Sequence, residues 1–368
     1  MTDSIDARVA HLSTLHPPRD NRIFNKECCS LAASGVDTWF LGAQERDEVV
    51  DGVHIVGLGT ASGVVGRLKA QWRAFRALNR VRPQLVHVHD PELIPMVWLW
   101  KTLRRKAAIY DAHEDLVGQM DDKPYIPKLL HPLAMLLAKG LVKLADKGFD
   151  GIVTATEHIA SLYSHPNKAV VHNYPYLKDY PASTAEHVPG RVVYVGMLSQ
   201  GRQVDVMIDA VRKVPGATLL VAGKADADIA PLLASDDPRI DYRGMLPSSE
   251  VPEIVASGSI GLVFLKPLGN YVDSLPTKLF EYMAAGIPAV VSDFAWLRRI
   301  LGSDDRCVFV DPSTADAPAE AIAALVANPE RAAEMGRRGR AAIEEELNFE
   351  AEVPTLLEIT ARAARRAR

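Results

Sequence analysis

Asp273, Lys278 and Glu281 lie in the stretch Asn270–Asp293, NYVDSLPTKLFEYMAAGIPAVVSD, and their types and spacing suit a charged, hydroxyl-rich ligand. Two carboxylates stand eight residues apart with a lysine between them. Pro276 suits the first turn of a helix, and Gly286 with Pro288 beyond it reads as the stop. A helix N-terminus gathers unpaired N–H groups and the positive end of the macrodipole, so it draws phosphate. Lys278 adds a full charge in that first turn, and Glu281, one turn deeper, is placed to accept hydrogen bonds from sugar hydroxyls. A phosphate with a sugar on either side is a nucleotide-sugar. On the residues alone, the same segment also reads as a core helix burying Leu279, Phe280, Met283 and Ala284. Lys278 and Glu281 would then be a surface pair of small energetic value.

Other reactive side chains cluster where strands should end. A strand at Arg191–Val195 runs into GMLSQGRQVDVMIDA, which puts Arg202 near the start of the next helix. A guanidinium there can fork onto a diphosphate. With Lys278 it would stand in for a metal ion, and no Asp-x-Asp motif follows a strand, so neither a metal nor a cofactor is expected. Gly223-Lys224 and the loop Arg243–Pro247, which holds Met245 and Leu246, follow two further strands and suit a nucleotide base. In HVHDPE, His87 and His89 share one strand face. A metal site there lacks a clear third ligand. His89 and Asp90 read better as facing a cleft from a strand's carboxyl end. The next strand ends in YDAHED, which carries His113.

The elements that must position these residues alternate. Strands are expected at Arg8–Thr14, Thr38–Gly42, His54–Val56, Leu85–His89, Ala107–Asp111, Gly151–Thr154 and Ala169–Val171, with helices at Phe24–Ala33, Val64–Arg80, Leu93–Leu103 and Pro132–Lys147. PASTAEHVP, residues 181 to 189, reads as a linker. A second alternating unit then has strands at Arg191–Val195, Ala217–Ala222, Ile240–Tyr242, Ile260–Leu265, Ala289–Val291 and Val308–Val310. Alternation of this kind implies α/β domains with parallel sheets. The expected boundaries are 1–180, a linker at 181–189, 190–345, and a terminal helix at 346–368. Gly57, Gly59 and Gly63 give GxGxxxG after a third strand with no acidic residue about 20 positions on, so a dinucleotide fingerprint is rejected.

Composition narrows the class. The chain has 368 residues, 48% apolar and 24% charged, which suits two soluble domains. The polar start MTDSIDARVAHLS reads as no signal peptide, and no run nears the roughly 20 apolar residues that span a bilayer. Three cysteines make no disulfide framework, and a net charge of −4 argues against nucleic acid. A cytoplasmic protein is expected. Yet Gly52 to His89 holds six basic residues and no acid. Lys69, Arg73, Arg76 and Arg80 form a cationic stripe beside Leu68, Trp72 and Phe75 on a helix over 66–82. That helix could lie on the inner face of the plasma membrane, or bury Trp72 and Phe75 in a domain core.

PTKLFEYMAAGIPAVVSD is similar to the signature of retaining glycosyltransferases of the GT-B fold, in the family 4 group. The family carries an acid, seven residues, then Glu; the first acid is usually Glu and is Asp273 here, one methylene shorter. The resemblance implies two Rossmann-like domains, a ligand cleft between them, and a last helix packing back on the first domain. It implies a metal-independent transfer from a nucleotide-diphosphate sugar, UDP-linked first and GDP-linked second, to a glycan, glycolipid or small-molecule acceptor. By resemblance, Glu281 holds the ribose. Lys278, Arg202 and the N–H groups of Ser274 to Thr277 stabilise the departing diphosphate. Asp273 and His113 meet the donor sugar. Leu275, Pro276, Gly223, Lys224, Met245 and Leu246 complete the donor set. Met197 stands where the family often has an Arg. HPPRDNRIFNKE resembles a D-x-R-I-F-x-K-E variant, which makes Asp20 and Arg22 acceptor-side residues with His89 and Asp90; Lys26 and Glu27 read equally as helix-surface residues and are kept out of the site. Front-face attack, with the leaving phosphate taking the acceptor's proton, would need no separate base. A nucleotide-sugar epimerase, a phosphorylase and a non-catalytic partner subunit remain as alternatives.

Overall fold

A computed structural model describes residues 5–121, 127, 129–181, 187–234, 236–268, 271, 274–301 and 305–367. The chain forms two compact units. Unit 1 comprises Met1–Asn173 and Ala351–Arg368, and unit 2 comprises Tyr174–Glu350.

Unit 1 is built on a sheet of β1 (Val9–Leu12), β2 (Thr38–Gly42), β3 (Glu48–Val50), β4 (Val53–Gly57), β5 (Leu85–Val88), β6 (Ala107–Ala112), β7 (Gly151–Thr154) and β8 (Lys168–Val170). Its order is β3-β4-β2-β1-β5-β6-β7-β8. All pairs are parallel except β3 with β4, an edge hairpin that the sequence reading did not include. Asp51 and Gly52 turn that hairpin with φ of 50° and 78°, the left-handed pair that a tight two-residue turn demands. Helices α1 (Gly63–Val81), α2 (Ile94–Arg104) and α3 (His131–Gly148) cover one face. They bury Ala74, Leu78, Ile94, Val97, Trp100 and Ala145 against Leu12, Val86, Val88 and Tyr110.

The helical segment after β1 differs from expectation. It starts at Asn21, and its first eight residues form a π-helix before an α-helical stretch, Cys29–Ala33. Asp20 caps it, accepting from the Arg22 and Ile23 amides at 2.9 Å each. The wider winding turns Lys26 and Glu27 inward, to 2% and 0% exposure, so they are core residues, and the helix-surface alternative is closed.

Unit 2 holds a six-stranded parallel sheet: β9 (Arg191–Val195), β10 (Thr218–Ala222), β11 (Ile240–Tyr242), β12 (Ile260–Val263), β13 (Ala289–Ser292) and β14 (Cys307–Val310), ordered β11-β10-β9-β12-β13-β14. Helices α4 (Val204–Lys213) and α6 (Asp316–Ala327) pack on one face, and α5 (Thr277–Ala284) with α7 (Pro329–Glu345) on the other. Gly286, with φ of 74°, ends α5 as the sequence suggested, while the Ile287 amide returns to the Tyr282 carbonyl at 3.1 Å. Tyr174 and Tyr180 belong to this unit's core.

Helix α8 (Phe349–Ala364) returns the chain to unit 1, where Leu356, Ile359, Thr360 and Ala363 are buried. Glu352 on α8 meets His172 Nδ1 at 2.8 Å, and Glu157 meets Nε2 at 3.1 Å. Burial alone would lower the His172 pKa, but the hydrogen bond and charge of Glu352, joined by Glu157, outweigh it and raise it. The imidazolium's stabilisation is therefore complete below its unfolded value of about 6.5 and is lost as pH rises through the folded value. Urea unfolding should show His172→Gln costing more stability at pH 6 than at pH 8.5. A pH-independent cost would mean that His172 only packs.

Candidate functional site

In both sheets the order of winding reverses once, between β1 and β5 in unit 1 and between β9 and β12 in unit 2. Loops leaving such a pair of strands part in opposite directions and open a crevice at the carboxyl edge, where α/β proteins bind ligands. Most of the residues singled out from the sequence lie at these edges.

In unit 2 the edge begins with close-packed backbone. The Gly196 amide donates to the Ala222 carbonyl at 2.8 Å, and the Gly223 amide to the Gly244 carbonyl at 2.7 Å. A Cβ on Gly223 would collide with the Gly196 carbonyl, and one on Gly196 with Lys278 Cε. Lys278 thus lies across the end of β9 from the first turn of α5, which no side chain caps. Its pair with Glu281 is 4.0 Å long, at the limit of an ion pair, and both side chains stay partly exposed. Arg202 ends a tight turn capped by Ser199 and stacks over Tyr271 at 5.1 Å from the ring centroid. Its Nε donates no hydrogen bond among the described residues. Tyr194, at the end of β9, holds the Met197 carbonyl at 3.0 Å. Burial pushes its pKa up to about 12, with Arg202 pulling it down and Tyr271 and Glu281 pushing it further up. Lys224 and Met245 are exposed, and Leu246 packs partly on the core.

The expected row of free amides from Ser274 to Thr277 needs correction. Pro276 has no N–H, and the Ser274 amide donates to the Tyr271 carbonyl at 3.4 Å. Asp273 lies outside the described residues.

In unit 1 the carboxyl edge is a buried polar network. Asp90 accepts from the Thr14 and Leu15 amides, from Ser13 and Thr14 hydroxyls, and pairs with His16 at 3.0 Å. It ties the loop after β1 to the loop after β5, across the reversal. Burial would raise its pKa, but the hydrogen bonds from His16 and Thr14 hold it below the usual range. Arg22 is internal, bonded to Asp111 at 3.1 Å and to the Val171 carbonyl at 2.8 Å, with Glu27 3.0 Å away. Burial pushes Glu27 up, and the neighbouring Asp111 carboxylate adds to that, while Arg22 holds Asp111 low against its burial.

Histidines fill the rest. His11 and His87 are register partners on β1 and β5 with stacked rings, centroids 4.5 Å apart. His11 Nδ1 contacts His89 Nε2 at 3.0 Å, and His89 Nδ1 contacts His113 Nε2 at 3.1 Å. Burial lowers the pKa of His11 and His89, and that of His87 to about 4, so all three are neutral near pH 7. His113 alone in this row is partly open, with its side chain 17% exposed. Sequence reasoning missed His11, Glu27 and Asp111. The signal was there in period-two spacing along adjacent strands, but which strands are neighbours is a fact of topology.

Asp90→Ala would orphan the buried Thr14 amide, at roughly 1–3 kcal/mol, and free the part-buried Leu15 amide as well. Urea unfolding should register a loss of that size; a loss under about 0.5 kcal/mol would mean that Asp90 does not join the two loops.

A family model described as "Glycosyl transferase 4-like domain" matches residues 21–171, and one described as "Glycosyl transferase-like" matches residues 202–358. Comparison by sequence with curated proteins gave no match. Among solved structures, sucrose-phosphate synthase from Thermosynechococcus elongatus superposes with a TM-score of 0.77 at 15% identity, covering 96% of this chain and 98% of that one. HepE of Anabaena, in complex with UDP-glucose, gives 0.72 at 12% identity, covering 96% and 98%. WaaG, a glycosyltransferase involved in lipopolysaccharide biosynthesis, gives 0.71 at 12% identity, covering 96% and 99%. With glycosyltransferase domains matched in each unit and this architecture throughout, the chain belongs to the GT-B glycosyltransferases.

Proposed function

We propose that the protein is a retaining transferase that takes a sugar from a nucleotide-diphosphate donor, without a metal ion at the diphosphate. The observation that carries this reading is Lys278, lying across Gly196 at the winding reversal of unit 2, with Glu281 4.0 Å from it and Arg202 stacked over Tyr271. Two cations and the N-terminus of α5 would take the charge that develops on the leaving diphosphate, usually the largest catalytic contribution. Glu281 would accept from the ribose hydroxyls. Gly223, Lys224, Met245 and Leu246 would border the base, and Ser274, Leu275, Pro276 and Thr277 would lead into the phosphate site. Asp273 and His113 are assigned to the donor sugar, and Asp20, Arg22, His89 and Asp90 to the acceptor side, where the buried Arg22, His89 and Asp90 act by holding the strand-end loops and not by contact. Solved HepE complexes hold UDP-glucose or UDP, which supports a UDP-sugar as the first donor to test, with a GDP-sugar next.

A glycan or glycolipid acceptor fits a second observation. Among the described residues no helix is long and apolar enough to cross a membrane. Yet on α1 Leu68 and Trp72 are 61% and 57% exposed, although Phe75 packs on the core. Trp98, Leu99 and Leu103 on α2 and Leu133, Leu136 and Leu137 on α3 are exposed as well. Arg76 lies over the Trp72 ring at 4.7 Å. Apolar residues flanked by cations suit a peripheral site on an anionic bilayer.

Four outcomes test this. Glu281→Ala should weaken UDP binding in a thermal-shift titration while leaving the unliganded melting temperature in place; unchanged affinity would remove the ribose assignment. Lys278→Ala should lower turnover about a hundredfold or more. The UDP-induced shift should persist in EDTA, whereas its loss would mean that a metal bridges the diphosphate. Arg73, Arg76 and Arg80 replaced together by glutamine should abolish flotation with anionic vesicles, and equal flotation would take the basic helix out of the membrane reading.

A further inference from the structure

We propose that His16, in the loop after β1, binds a hydroxyl group of a sugar acceptor through its Nε2, with Asp90 fixing the ring from behind. The inference deepens the acceptor-side reading of unit 1 and rests on it; it does not need the donor assignments in unit 2.

The ring is held by one nitrogen. His16 Nδ1 lies 3.0 Å from Asp90 Oδ1 and 3.0 Å from Ser13 Oγ. Asp90 is a carboxylate held below the usual range, so it accepts and Nδ1 carries the proton. Ser13 Oγ accepts from the His16 amide at 3.1 Å and donates to Asp90 at 3.1 Å, which completes the clamp. In the neutral ring the lone pair therefore stands on Nε2, which meets no partner among the described residues. The Asp90 side chain is 1% exposed and that of His16 33%. The water-facing part of the ring is thus the part turned away from Nδ1, and it carries Nε2.

Holding the loop would by itself account for the contact with Asp90, but it does not require a histidine. Asp90 already takes the Thr14 and Leu15 amides and the Ser13 and Thr14 hydroxyls. What the imidazole adds is a second nitrogen, set in place by the first. The other histidines of this edge differ: His11, His87 and His89 are buried, and only His113 is also partly open. His113 is the neighbour of His16, with the rings edge to face and centroids 5.4 Å apart.

The surrounding charges select the ligand. Asp20 and Glu114 act on His16 together with Asp90, so an anionic group is repelled. A lone pair on Nε2 needs a donor. A neutral O–H meets both conditions, and sugars present rows of them. Burial alone would lower the His16 pKa, but the hydrogen bond and charge of Asp90, with Asp20 and Glu114, outweigh it and raise it. Protonation removes the lone pair. Binding is therefore complete above the raised value and is lost as pH falls through it.

The test uses the full chain, with its histidine side chains followed by nitrogen–proton NMR. The probes are the methyl glycosides of glucose, galactose, mannose and N-acetylglucosamine. The His16 signal is the one missing from His16→Ala. In the neutral ring it should report a proton on Nδ1 and none on Nε2, and at least one glycoside should move it saturably. By calorimetry, His16→Ala should weaken that glycoside about tenfold, the loss of one hydrogen bond. His16→Gln, whose amide oxygen accepts but does not titrate, should keep binding and lose the fall at low pH. His54→Ala, on the remote strand β4, should change neither. Melting curves establish that each variant is folded; should His16→Ala not fold, the pH dependence in the native chain decides. A proton on Nε2 of the neutral ring, no response of His16 to any glycoside, or undiminished binding by His16→Ala would each overturn the proposal. The UDP-induced thermal shift is read on the same samples: its absence would sink the donor reading alone.

Discussion

A parallel sheet covered on both faces leaves only its edges for chemistry, and the winding reversal selects which edge. Between β9 and β12, and between β1 and β5, the following segments must run to opposite sides. Strand-end backbone there loses its neighbours. Unit 2 compensates with glycines, whose missing Cβ atoms let Gly223 approach the Gly196 carbonyl and Lys278 lie across Gly196. Unit 1 compensates with a carboxylate, Asp90, which takes the amides of the loop opposite. The same constraint thus has a backbone solution in one unit and a side-chain solution in the other.

The two solutions differ in what they permit. Lys278, Glu281 and Arg202 are held loosely: one long ion pair, one ring contact and an unfilled guanidinium nitrogen. Groups in that state have little to give up on meeting a diphosphate. Arg22, Glu27, Asp111 and the histidines are already committed to one another under almost no water. Burying that much polar surface costs stability unless its members are paired. The π-helical start of the Asn21–Ala33 segment is what delivers Arg22 and Glu27 to it, and such turns occur often at functional sites.

Much of this was legible in the sequence. The parallel strands were readable from apolar runs between turn residues. The stop at Gly286 followed from that glycine with Pro288 just beyond it, and the places of Lys278 and Arg202 followed from the helix starts that hold them. The hairpin strand β3 was signalled by Asp51-Gly52 but is too short and polar to show alternation. The position of Lys26 and Glu27 stayed open in the sequence because helical periodicity presumes α-helical winding, which the first eight residues do not follow. The expectation of free amides over Ser274 to Thr277 ignored that proline has none and that a turn uses its own.

The place of Asp111 beside His89 was illegible for a different reason. HVHDPE and YDAHED are separated by some twenty residues of chain, and nothing in either says that β5 and β6 are neighbours in register. Once His87 pairs with Ile109, the next residues on that face, His89 and Asp111, must stand side by side, and His113 follows just past the end of β6. Period-two spacing had already put His87 and His89 on one face; the register extends that face across strands to His11 and Asp111. A cluster that looks like isolated polar residues in sequence is therefore a consequence of one parallel register. Shifting β6 by a single residue would turn Asp111 to the opposite face and dissolve the cluster.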